Sequence, residues 1–234
     1  MMRRASPFRH YFAFAFPLVL WTVWCSLNSI LAVSSIDLPW NDINIVAVTD
    51  VHSWVAGHAP HPHWSNDNHA RTPDNADYGH VLSFYRHLQQ QASERKVDLF
   101  FVMNGDFMDG TGLSTIPPDH LLPVLTCMPW DAVNLGNHEL YHNETVAYMM
   151  DSGFIDHWHG NYLTSNVDVL DSSRTARQHQ QQNNNYRPIG NRYTYLYGSH
   201  TNTSILTFGF LYNFEGNCHM TRVRKVEQVV QETW

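Results

Sequence analysis

The sequence predicts an α/β fold in which a parallel sheet carries a metal site at the carboxyl ends of its strands. Three apolar runs typical of buried strands cover residues 43–48, 97–103 and 130–135. Each run is followed closely by side chains that bind metals. In α/β sheets, ligand sites form beyond the carboxyl ends of the strands. We therefore expect a βαβαβ core with its site at that edge.

The first strand runs into Asp50 and His52, and a long loop follows over residues 57–78. This loop contains four histidines that fit no standard zinc-finger spacing, which favours a mobile rim over a metal trap. Residues 78–94 then show apolar side chains at helical spacing and predict a crossover helix. The second strand runs from this helix into Asp106. A strand, helix, strand unit of this length predicts parallel pairing.

The third strand leads into a glycine turn, Asn134-Leu-Gly-Asn-His-Glu139, after a short helix at residues 121–125. The glycines of this turn and of Asn104-Gly-Asp106 allow close packing around metal ions, because they have no side chain. The turn delivers Asn137 and His138 to the same edge of the sheet. Hard oxygens from Asp50, Asp106 and Asn137, with nitrogen from His52, suit divalent first-row metals.

Beyond the turn, the pattern predicts further elements around a polar insert. The predictions are a helix at 144–151, strands at 161–165, 192–197 and 204–211, and a final helix at 223–234. Residues 171–187 are rich in Gln and Asn, and we expect a disordered insert there because such a tract buries little apolar surface.

The amino terminus resembles a secretory signal, with three arginines before an apolar run and small residues at 32–34. We expect residues 1–34 to be a signal peptide, with an uncleaved membrane anchor as the alternative. Secretion, or delivery to an endomembrane or vacuolar lumen, follows. Sequons at Asn143 and Asn202 fit glycosylation there. Two cysteines of the body, Cys127 and Cys218, define no disulfide framework.

The net charge of -7 and the absence of a basic stripe argue against nucleic-acid binding. A competing motif, His138-Glu-Leu-Tyr-His142, matches the pattern of zinc proteases that bind zinc with two histidines one helical turn apart. That pattern must lie within a helix, and Gly136-Asn137 is a poor helix interior. It also leaves the ligands of the first two strands unexplained.

Together, Thr49-Asp-Val-His52, Asn104-Gly-Asp106 and Gly136-Asn-His-Glu139 resemble the signature blocks of the calcineurin-like metallophosphoesterases. Segments 164–167 and 208–214 are similar to the 5′-nucleotidase-related branch. The resemblance covers residues 43–234 and implies an α/β sandwich that hydrolyses small phosphate esters, nucleotides included, with water activated by two divalent metals. Zinc, manganese, iron and magnesium remain open.

The resemblance also assigns roles to single residues. Asp50 and His52 would hold one ion, Asp106 would bridge both, and Asn137 would hold the second. Asn137 and His138 would contact the phosphate, and His138 would stabilise it or protonate the leaving oxygen.

Two features depart from the family pattern. Tyr141 stands where many 5′-nucleotidases pair that histidine with an aspartate. The later histidine blocks have no counterpart in a suitable place, so we expect an incomplete second half. A truncated, non-catalytic secreted remnant, binding metal weakly or only a partner, is therefore the alternative function.

Overall fold

The computed structural model describes residues 37–57, 76–110, 112–171 and 185–233. The expected signal peptide, most of the histidine-rich loop and most of the polar insert lie outside the described residues. Among the residues that are described, no helix combines the length and apolar character needed to cross a membrane.

The central sheet has four parallel strands in the order β1 (Ile43–Val48), β2 (Asp98–Asn104), β3 (Ala132–Asn134) and β4 (Tyr162–Leu163). Val48 pairs with Met103, and Asn104 pairs with Asn134. The carboxyl ends of the first three strands are therefore aligned, as the sequence predicts. This alignment places the segments after each strand side by side.

Helices cover one face of this sheet. Helix α1 (Tyr78–Arg95) is capped at its amino end by Asp77, whose side chain accepts a hydrogen bond from the backbone N–H of His80. Lys96, in the left-handed conformation, caps its carboxyl end. Tyr85 of α1 stacks on Phe101 at 4.3 Å between ring centroids. Helices α2 (Leu122–Thr126), α3 (Asn143–Asp151) and α4 (Phe154–His157) complete the helical side.

A β-hairpin covers the opposite face of the sheet. Its strands, β7 (Tyr193–Tyr197) and β8 (Ser204–Phe208), pair antiparallel. The hairpin and the sheet share a small apolar cluster of Phe100, Val102, Ala132, Leu163, Leu196 and Ile205. Strands β2, β3 and β4 are thus largely buried between two layers, which explains their nearly continuous apolar runs, whereas the residues of the edge strand β1 alternate between half-buried and exposed.

A third sheet follows β4 and has the order β6 (Tyr186–Pro188), β5 (Val167–Leu170) and β9 (Thr221–Val223). Two predicted boundaries, the end of the polar insert and the start of the last helix, were wrong. Residues 186 and 187 belong to a strand rather than to the insert predicted at 171–187. The last helix, α5 (Val226–Thr233), begins after Val223, which pairs with Val167.

Both corrections have one cause, because pairing with the distant strand β5 outweighs the local sequence pattern.

The described cysteines, Cys127 and Cys218, are free thiols.

Candidate metal centre

The loops that follow β1 and β2 remain hydrogen-bonded beyond the ends of the two strands. The backbone N–H of Asp50 donates to Gly105 O at 3.1 Å, and that of His52 donates to Asp106 O at 2.9 Å. The backbone N–H of Ser53 continues the series to Phe107 O at 3.0 Å. These bonds place His52 directly beside Asp106.

Five residues with side chains in these loops have left-handed backbone conformations. The φ angles are 55° at Asp50, 49° at His52, 67° at Ser53, 52° at Asp106 and 53° at Asp109. Such conformations are unfavourable for residues with a side chain and concentrate at functional sites, where surrounding contacts maintain them. The cluster of five therefore marks this edge of the sheet as a specialised site.

The glycine turn after β3 packs tightly against the Asp106 loop. A Cβ atom on Gly136 would lie 2.2 Å from Oδ1 of Asp106, and one on Gly105 would lie 2.6 Å from the backbone nitrogen of Gly136. No side chain fits at either position. The backbone N–H of His138 donates to Asp106 Oδ1 at 3.0 Å, which fixes the carboxylate.

Three side chains converge where these loops meet. His52, Asp106 and His138 each offer a ligand atom, and these atoms all lie within 4.8 Å of one another. The two imidazole rings meet edge to face, with centroids 4.2 Å apart and an interplanar angle of 80°. Two nitrogens and one carboxylate oxygen form a donor set that fits a divalent first-row metal.

The structure brings together two of the four predicted ligands, His52 and Asp106, and adds His138, which the sequence analysis placed beside the metals. Asp50 is exposed, accepts a hydrogen bond from Thr49 Oγ1, and contributes no atom to the group of three. Nδ2 of Asn137 donates to the Tyr141 hydroxyl at 2.7 Å, so its amide oxygen stays the predicted ligand atom. The roles of Asp50, Asn137 and His138 stay predictions.

Glu139 holds the loops of the site together, a role that the sequence pattern did not predict. It is fully buried and accepts three backbone hydrogen bonds, from Asp106 at 2.9 Å, Met108 at 2.9 Å and Gly136 at 2.7 Å. Burial raises the pKa of its carboxyl and the nearby Asp106 charge raises it further, whereas the backbone donors lower it, and the resulting pKa is about 7. The feature of the sequence that could have indicated this role is the position of Glu139 at the end of the Gly136-Asn-His-Glu139 block.

The geometry does not support the zinc-protease motif. His138 lies in a single 3₁₀ turn that ends at Leu140. His142 has extended backbone angles, φ −121° and ψ 133°, at the start of α3. The two histidines therefore do not lie one turn apart on a helix, and Glu139 is occupied by backbone donors.

The calcineurin-like phosphoesterase family matches residues 43–234. The chain belongs to this family, and it is related to the 5′-nucleotidase branch. It is similar to a 5′-nucleotidase from Candida albicans, with 30% identity and a TM-score of 0.70 over 85% of this chain and 34% of that one. An NAD nucleotidase from Haemophilus influenzae shares the fold, at 17% identity and a TM-score of 0.56, over 81% of this chain and 30% of that one.

Two fungal relatives are similar in sequence. A protein of Arthroderma benhamiae named "Secreted protein" is 32% identical over 84% of this chain and 27% of its own length. An uncharacterised protein of Schizosaccharomyces pombe is 33% identical over 84% of this chain and 30% of its own length. The chain thus spans less than a third of these relatives. The predicted fold class is confirmed, and the domain is partial relative to the nucleotidase.

Proposed function

We propose that this chain carries the metal-binding half of a phosphate-ester hydrolase site. The observation that carries the proposal is the convergence of His52, Asp106 and His138 where the segments after β1, β2 and β3 meet. Family membership supports the reaction class, because the chain belongs to the calcineurin-like phosphoesterases.

In this proposal, Asp50, His52 and Asp106 would hold one divalent ion, Asp106 and Asn137 would hold a second, and His138 would lie beside them at the phosphate. A bound divalent ion supplies Lewis-acid polarisation of phosphate and lowers the pKa of water. The protein's own part is to hold the ligands still. Asp106 is fixed by the His138 N–H, and the Asn137 amide is oriented by the Tyr141 hydroxyl.

The half-buried imidazole of His138 is open enough to contact a phosphate oxygen or a leaving group. We assign the substrate to small phosphate esters, with nucleoside monophosphates as the first class to test. Support comes from the similarity to the 5′-nucleotidase of Candida albicans. The net charge of -7 does not prevent phosphate binding, because a bound cation dominates the local field.

One observation favours the second candidate, a chain that binds metal without hydrolysis. Among the described residues, the mutually close His, Cys, Asp and Glu ligands form a single group of three. Three protein ligands hold one ion, and a second ion would depend on Asp50, Asn137 and groups not yet identified. In that case the chain would bind one equivalent of metal and remain inert toward phosphate esters.

Metal content and hydrolysis, measured on the same sample, separate the two candidates. We expect two equivalents of zinc or manganese by elemental analysis, with release of phosphate from p-nitrophenyl phosphate and AMP. Asp106→Asn should abolish hydrolysis. The control is Asp119→Asn, which removes an exposed carboxylate that accepts a hydrogen bond from the Thr115 hydroxyl, and it should leave the rate of hydrolysis unchanged. Near-normal turnover of Asp106→Asn with two bound metals would refute the assignment, and one metal without hydrolysis would favour the second candidate.

We also propose that the protein is secreted and glycosylated at Asn202 rather than at Asn143. Asn202 is exposed in the loop between β7 and β8. Asn143 is half-buried, its Nδ2 contacts the His219 ring at 3.1 Å, and Thr145 of its sequon is buried. In a secretory host, endoglycosidase should shift the wild type and Asn143→Gln, but not Asn202→Gln. A shift that persists in Asn202→Gln would contradict this assignment.

A further inference from the structure

A row of three aromatic side chains begins beside His138. The centroid of the Tyr141 ring lies 4.7 Å from that of the His138 ring, and the Phe214 ring lies 5.7 Å from that of Tyr141. The Tyr212 ring follows, 5.8 Å from that of Phe214. We call Tyr141, Phe214 and Tyr212 the aromatic row. It starts at the side chain that is expected to contact the phosphate and leads away from it.

The segment that supplies Phe214 and Tyr212 crosses the carboxyl edge of the parallel sheet. An added Cβ on Gly209 would lie 2.4 Å from Oδ1 of Asn134, the last residue of β3. Nδ2 of Asn134 donates to the Phe210 carbonyl oxygen at 3.4 Å. The segment therefore runs along the same edge of the sheet as the candidate metal centre.

Hydrogen bonds fix this segment on both sides of the two rings. On one side, the Asn166 side chain accepts the backbone N–H of Leu211 at 2.8 Å and donates to its carbonyl oxygen at 2.7 Å. On the other side, the backbone N–H of Cys218 donates to Leu140 O at 2.7 Å, in the turn that carries His138. The aromatic row is thus preformed, and a preformed surface loses less freedom when a ligand binds.

Packing in the core does not account for the whole row. Phe214 packs partly against the main apolar core, and Tyr141 is half-buried. Tyr212, at the outer end, is 59% exposed. Small-molecule sites combine a few polar groups that orient the ligand with aromatic rings that supply the contact area. The row gives the candidate site such a surface on the His138 side.

We propose that Tyr141 and Phe214 contact the leaving group of the phosphate ester and select esters whose leaving group is a ring. The inference rests on the proposed function, because the phosphate must lie beside His138. A ring attached to that phosphate reaches Tyr141 first and Phe214 next, whereas a short open-chain group has no flat face to pack against them. Contacts between aromatic rings predict a preference of about three- to tenfold. Tyr212 extends the row for larger leaving groups.

The direct test compares phenylphosphonate with ethylphosphonate on the full chain loaded with Zn²⁺. Neither compound contains an ester bond, so their affinities, measured by calorimetry, do not depend on hydrolysis. We expect phenylphosphonate to bind about three- to tenfold more tightly. Equal affinities would overturn the inference and leave the proposed function standing. Binding of neither compound would refute both.

Substitutions in the row separate the rings from the rest of the site. Phe214→Leu keeps an apolar side chain against the core and should bring the two affinities together by weakening phenylphosphonate alone. Tyr141→Leu should do the same. Tyr141→Phe removes the hydroxyl that accepts the Asn137 Nδ2 hydrogen bond but keeps the ring, so the preference for phenylphosphonate should persist. A preference that survives both leucine substitutions would overturn the inference.

The matched control is Phe84→Leu, the same substitution at a ring of α1 that is 51% exposed. It should leave both affinities unchanged. An equal loss of preference in Phe84→Leu and Phe214→Leu would show that the row is not its source. Should a leucine variant fail to fold, intermolecular NOEs in the wild type decide the question. We expect them between the phenyl protons of the ligand and the rings of Tyr141 and Phe214, and their absence would refute the contact.

Discussion

Three backbone N–H groups, from Asp106, Met108 and Gly136, converge on the two carboxylate oxygens of Glu139. Two of the donors belong to the loop after β2 and the third to the turn after β3. The side chain is fully buried, so these bonds are made without competition from water. At the scale of single residues, Glu139 joins two loops that the sheet brings near each other but does not connect.

Replacing Glu139 by Gln should destabilise the protein by about 1–3 kcal/mol, because an amide nitrogen cannot accept and at least one buried N–H loses its partner. The measurement is the free energy of unfolding in urea. Glu94→Gln, at an exposed position of α1, is the control and should change stability by about 0.5 kcal/mol or less. Equal stability of the Glu139 variant and the control would show that the three donors are satisfied in another way.

The glycine at position 136 makes a second prediction at this scale. A methyl group there would lie 2.2 Å from Asp106 Oδ1, so Gly136→Ala should move the carboxylate and weaken Zn²⁺ binding about tenfold or more. Gly153→Ala is the control, because a Cβ at Gly153 meets nothing within 4 Å and its φ of 80° adds only strain of about 1–2 kcal/mol. Chelator competition should separate the two variants. Unchanged zinc affinity in Gly136→Ala would mean that Asp106 is not a ligand.

At the scale of elements, Asn166 fastens three chain segments at the end of β4. Its side chain donates to Leu211 O at 2.7 Å and to Arg224 O at 2.8 Å, and it accepts the backbone N–H of Leu211 at 2.8 Å. The residue is fully buried. The Asn166 amide therefore links the segment after β8 to the segment before α5.

Asn166→Ala should lower the free energy of unfolding by about 2–4 kcal/mol, because three backbone groups lose their partner, two of them in the buried Leu211, and a small cavity remains. Asn41→Ala, at an exposed position before β1, is the matched control and should be nearly neutral. Denaturant unfolding of the pair gives the difference directly. A cost below about 1 kcal/mol would indicate that water replaces the amide.

For the molecule as a whole, the sequence was most informative where local pattern and global topology coincide. The alternation of strand, helix and strand predicts parallel pairing, so residues after β1, β2 and β3 could be placed together from the sequence. The backbone hydrogen bonds that Glu139 accepts could not be predicted, because they depend on how loops far apart in sequence pack against one another. For the same reason, Val223 was predicted as the first residue of the final helix, although it pairs with Val167 of β5.

The two layers of the molecule are also joined by a titratable group. Asp98, at the start of β2, is buried and accepts hydrogen bonds from the backbone N–H groups of His200 at 2.9 Å and Thr201 at 3.2 Å. The Thr201 hydroxyl donates to the same carboxylate. Burial raises the pKa of Asp98, but the hydrogen bonds from Thr201 and His200 outweigh it and hold the pKa below its ordinary value.

A carboxyl group whose folded-state pKa is depressed stabilises the fold above its unfolded pKa, and this contribution is lost as the pH falls through the folded value. The free energy of unfolding of the wild type should therefore fall below about pH 4, near the ordinary pKa of Asp. In Asp98→Asn this part of the pH dependence should be absent, and the variant should be less stable than the wild type at pH 7. Urea unfolding at a series of pH values measures both effects. Asp119→Asn, which removes an exposed carboxylate, should keep the wild-type profile. If Asp98→Asn and the wild type gave parallel profiles, the contact between the hairpin loop and the sheet would not depend on the ionised carboxylate.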